Sequence, residues 1–114
     1  MTYDVVDVPT APRDLTASDV TSSSVTLKWA EPESDGGAPI SNYVVERCTA
    51  FSNRWVKASK AVSVDTSVTL IDLVEGTSYR FKVSAENEAG TGPACEPIGP
   101  IEVKEPRGES RVDY

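Results

Sequence analysis

Three features of this 114-residue sequence predict an all-β fold, a seven-stranded antiparallel sandwich. Apolar and polar residues alternate with a period of two in several short segments. Turn residues separate those segments at the intervals typical of a small sandwich. No segment longer than about ten residues carries apolar residues three and four apart, so helices are expected to be negligible. The length suits one domain with a real core, and 39% apolar with 25% charged residues suits a folded chain.

The elements follow in order. Residues 1–9 approach two prolines, Pro9 and Pro12, which cannot donate ladder hydrogen bonds, and read as an entry linker. The first strand is expected over Asp14 to Asp19, with Leu15 and Ala17 on one face and Val20 leading into the turn Thr21–Ser24. The second, Ser24 to Ala30, sets Val25, Leu27 and Trp29 against Ser24, Thr26 and Lys28. Glu31 to Pro39 is a loop with two prolines and the flexible pair Gly36-Gly37. The third strand, Ser41 to Cys48, puts Tyr43, Val45 and the stem of Arg47 on one face, and Val44, Glu46 and Cys48 on the other.

A short fourth strand is expected around "RWVKAS", where the period leaves the face of Trp55 open. The fifth, Ser67 to Asp72, turns Val68 and Leu70 inwards, and Leu73 closes the following turn. The sixth begins at Tyr79, with Phe81, Val83 and Ala85 on its side and Arg80, Lys82, Ser84 and Glu86 opposite. The seventh contains "PIEV", with Ile101 and Val103 facing inwards. Residues 105–114, mixed and charged around Pro106 and Gly108, read as an exit linker or tail, which leaves a domain of residues 10–104. One continuous core of Trp29, Tyr43, Leu70, Leu73, Tyr79, Phe81 and Val83 is expected.

Composition removes several classes of function. Eighteen acidic against eleven basic residues give a net charge of −7, which disfavours nucleic acid and anionic membranes as partners. No apolar run approaches the roughly 18 residues of a membrane span, and "MTYDVVDVP" has neither the basic start nor the apolar core of a signal peptide. Histidine is absent, and with it the usual general base and the commonest zinc ligand. The serines and threonines therefore have no activating partner, and no catalytic residue or enzyme activity is expected.

Gly90 and Gly92 lack the third glycine, the lysine and the following helix of a phosphate loop, so they read as a hairpin turn. Glu31, Glu33 and Asp35 do not have the spacing of a calcium loop. No metal and no cofactor is expected. Cys48 and Cys95 are far apart and read as free thiols, and none of Asn42, Asn53 and Asn87 starts a glycosylation sequon.

Read as a set, Leu15-Thr16-Ala17, Val25 to Trp29, Asp35 to Ile40, Tyr43 to Glu46 and Leu73 to Tyr79 resemble a fibronectin type III domain, an immunoglobulin-like sandwich. The resemblance covers roughly Pro9 to Val103. Pro32, Asp35, Gly36, Gly37, Pro39 and Ile40 fit the P-x-x-D-G-G-x-P-I pattern of such domains in giant intracellular muscle proteins of the titin and twitchin kind. Neither the integrin-binding Arg-Gly-Asp nor the WSxWS box of other branches is present. In this class of sandwich a tyrosine at the start of the sixth strand bonds its hydroxyl back to the upstream backbone, and Tyr79 holds that place.

The resemblance implies a non-enzymatic structural and interaction module of a long muscle filament protein, cytoplasmic and sarcomeric, working as a load-bearing link. Its implied partners are neighbouring immunoglobulin-like or fibronectin type III domains of the same chain, and thick-filament proteins. The isolated domain is expected to be monomeric. Strand order implies termini at opposite poles, with Glu31, Glu33, Asp35, Glu86 and Glu88 at the N-terminal pole as candidate contacts to a neighbour, and Arg47 and Arg54 towards the other. The alternative is an extracellular adhesion or receptor domain, which a signal peptide and membrane span in the parent chain would mark.

Overall fold

A computed structural model describes residues 5–58 and 63–105 of the chain. Among these residues eight strands follow one another: β1 (Arg13–Ser18), β2 (Val25–Ala30), β3 (Asn42–Thr49), β4 (Val56–Lys57), β5 (Ser67–Leu70), β6 (Ser78–Asn87), β7 (Gly90–Thr91) and β8 (Ile98–Glu102). They form two antiparallel sheets. One has the order β1-β2-β5; the other runs β4-β3-β6, with β7 and β8 both pairing with β6. The expected seventh strand is thus one lane in two pieces. Pro93 and Pro97 lie in the interval between them, where they cannot complete a ladder.

Other boundaries shift for physical reasons. Both ends of the expected first strand, Asp14 and Asp19, are left-handed at φ 57° and 52°, a region that Asp tolerates better than most residues. Asp14 sits in a register shift between Arg13 and Thr16, and Asp19 lies just past the end of β1. Ser59, the last residue of the expected fourth strand, lies outside the described residues, as do residues 1–4 and 106–114.

The strand period sets the core. Val25, Leu27 and Trp29 of β2 face Tyr43 and Val45 of β3 and Tyr79, Phe81, Val83 and Ala85 of β6, and Leu70, Leu73 and Val103 complete one buried cluster. The seven side chains named from sequence all belong to it. Trp29 and Tyr43 meet edge-on, with ring centroids 5.3 Å apart. The Tyr79 hydroxyl accepts the Val74 N–H at 3.0 Å, which ties the corner ahead of β6.

Cys48 lies on the outward phase of β3 and yet is buried. It pairs in register with Arg80, whose guanidinium packs against Trp55 on that face. Trp55 therefore takes the outer face, the question that the sequence left open.

Candidate functional site

The pole opposite the Tyr79 corner is built by the β2–β3 loop, the β6–β7 turn and the segment leading into β1. The Asp7 N–H donates to the Gly36 carbonyl at 2.9 Å and the Thr10 N–H to the Ser34 carbonyl at 3.0 Å. The Thr10 hydroxyl in turn accepts the Ser34 N–H at 3.0 Å. Residues 7–10, at the expected boundary between linker and domain, are thus bonded to the loop. Two glycines permit the approach. A methyl group on Gly36 would collide with the Asp7 carbonyl, and one on Gly92 with the Pro9 carbonyl.

Asn87 joins the three segments. Buried at the end of β6, its Nδ2 donates to the carbonyls of Asp7 and Asp35, both at 2.7 Å, while its Oδ1 accepts the Ala89 N–H at 2.8 Å. All three bonds use the full amide, so the side chain is satisfied while buried. Sequence reasoning did not single it out; the available signal was an Asn directly ahead of a glycine-containing turn.

The acidic candidates surround this clamp without closing into a metal site. Glu31, Glu33, Asp35 and Glu88 are exposed and Glu86 is half-buried. Among the described residues no three acidic or cysteine side chains come together as a metal-binding group, and none of these five acids is in an ion pair. Asp35 Oδ1 accepts the Gly37 N–H at 2.9 Å and shapes its own loop. Glu86 Oε1 accepts from Asn42 Nδ2 at 3.1 Å. Arg13 Nε donates to the Glu31 backbone carbonyl, 2.9 Å away, and makes no ion pair with the Glu31 carboxylate among the described residues. Burial, and then the Glu31 charge, push the Tyr43 phenol above its ordinary pKa. Among the described residues no cation pairs with these five carboxylates, so together they give this pole a negative field.

At the far end of the sandwich, Arg47 stacks its guanidinium 5.4 Å from the Tyr79 ring centroid, and Arg54 is exposed on the β3–β4 turn. β6 lies between β3 and the β7–β8 lane, so it separates the two cysteines, which are both free. Cys95 Sγ accepts the Val83 N–H at 3.4 Å, and burial raises its pKa.

The sequence model of the fibronectin type III domain matches residues 10–100. The chain belongs to the fibronectin type III family. Within it, the chain is 42% identical to the titin homolog of Caenorhabditis elegans over 95% of its own length and 1% of the relative's. It is 39% identical to human myosin-binding protein H over 87% of its length and 21% of the relative's. A crystal structure of domains from titin superposes with a TM-score of 0.81 at 45% identity, covering 87% of this chain and 33% of that one. The titin kinase with its flanking domains gives 0.79 at 44%, covering 87% and 18%. The chain therefore spans a small part of the relatives it matches. It is a titin-like fibronectin type III module whose relatives are muscle proteins.

Proposed function

We propose that this fibronectin type III module is a load-bearing, position-setting link in a long cytoplasmic filament protein of the sarcomere, without catalytic activity. Its partners are the modules before and after it in the same chain, with thick-filament proteins as candidates for its side faces. The observation that carries the reading is the bonded entry segment. Chain entering from a preceding module is fixed to the β2–β3 loop and to Asn87 before β1 begins.

The two ends support it further. β1 and β8 are edge strands of different sheets, paired with β2 and β6. The chain leaves beside the turn ahead of β6, where the Val103 N–H donates to Thr77 and its carbonyl accepts from Gly76. Tension between the ends must then break whole groups of hydrogen bonds together, so resistance is set by the unfolding rate. The acidic pole repels acidic surfaces and favours a neighbour of opposite charge. Stretching a tandem array of the module tests the reading: discrete unfolding steps of equal contour length support it, and gradual extension would sink it.

A further inference from the structure

The face of β3, β4 and β6 turned away from the core carries side chains that the link role does not use. Lys82 Nζ lies 4.4 Å, and Arg80 Cζ 5.4 Å, from the ring centroid of Trp55, just ahead of β4. Arg80 Nη2 donates to the Ser52 carbonyl at 3.1 Å, while its buried Nε has no partner among the described residues. An aromatic face holds a cation in place without neutralising it. Neither Arg80 nor Lys82 enters an ion pair among the described residues. Glu46 pairs in register with both Lys57 and Lys82, and is the one acid of β3 on this face.

Around this group stand exposed Arg54 and Lys57, and on the same turn Phe51, which is wholly exposed. Fixed cations beside a bare aromatic ring make a surface quite unlike the rest of a chain of net charge −7. We propose that this face docks an acidic segment of a partner polypeptide, whose carboxylates meet Arg54, Lys57, Arg80 and Lys82 while an apolar side chain covers Phe51 and the open edge of Trp55. A short segment suits the electrostatics. Screening confines attraction to about 8–10 Å, whereas an extended polyanion would also feel the surrounding negative charge. The proposal does not depend on the load-bearing reading.

The test titrates the isotope-labelled 114-residue chain with a synthetic dodecapeptide of glutamate and leucine. Its glutamine counterpart, a DNA duplex and phosphatidylserine vesicles run in parallel. The expected result is a set of NMR shifts at the Trp55 indole and at the amides of Arg54, Lys57 and Lys82, with the Trp29 indole unmoved. Added salt should weaken the binding, and combining Arg54→Glu with Lys82→Glu should weaken it about tenfold or more. Phe51→Ala should lower affinity too, and serves alone if the double variant fails to fold. The proposal is overturned if the glutamate peptide gives no shifts, if shifts fall elsewhere, if the glutamine peptide binds equally well, or if DNA or vesicles bind these residues more tightly.

Discussion

The Tyr79 hydroxyl concentrates a good deal of the fold in one atom, because it lets a ring sit in the core while its polar end satisfies the Val74 N–H. Tyr79→Phe keeps the ring and leaves that N–H without its partner. The expected loss is about 1–3 kcal/mol with the fold unchanged, read from the shift in denaturant midpoint. Tyr43 reports on the acidic pole. Its phenol is raised above the ordinary value of about 10 by burial and then by Glu31, so folding favours the protonated form. The stability due to this group is complete below about pH 10 and lost as pH rises through the folded pKa. Unfolding midpoints should therefore fall as pH rises above about 10, and fall less in Tyr43→Phe. The cysteines give a third check: a thiol reagent should find two thiols after denaturation under non-reducing conditions. In the native protein Cys48 should be protected, and Cys95, whose thiolate is disfavoured by burial, should react slowly.

At the scale of elements, the parts legible in the sequence were those with a strict period. Val25, Leu27 and Trp29, and Tyr79 through Ala85, alternate without interruption, and they form the centre of the core. Elements governed by contacts between distant segments were less legible. The burial of outward-phase Cys48 and the face of Trp55 depend on what lies across the sheet, which periodicity does not carry. The five acids were visible as residues of the β2–β3 loop and of the end of β6 with its turn; what ties these to the entry segment, the Asn87 amide bonded to Asp7 and Asp35, has no charge or period to announce it. Gly92→Ala probes this junction by steric means alone, since its methyl would strike the Pro9 carbonyl. Faster amide exchange at Asp7 and Thr10, with β2 and β6 still protected, is the expected outcome. Unchanged exchange at those two amides would show that the entry segment is held by something other than this clamp.

For the whole molecule, the two sheets divide the task of holding the ends. The entry segment is bonded to one pole and continues into β1, while β8 runs to the other pole and ends at Glu102, followed by Val103 bonded to Thr77 and Gly76. In the role proposed above, a module arranged this way would resist extension through its terminal ladders and set the position of its neighbours through the clamp. The most direct measurement pulls a tandem array of the module from its two ends, in wild-type form and with Asn87→Ala in every copy. The account predicts repeated steps of about 30 nm, the length released when the roughly 95 residues from the bonded entry segment to Val103 unfold, and a lower unfolding force for the variant, which leaves the Asp7 and Asp35 carbonyls unpaired. Extension without discrete steps, or steps at the same force in both arrays, would contradict it.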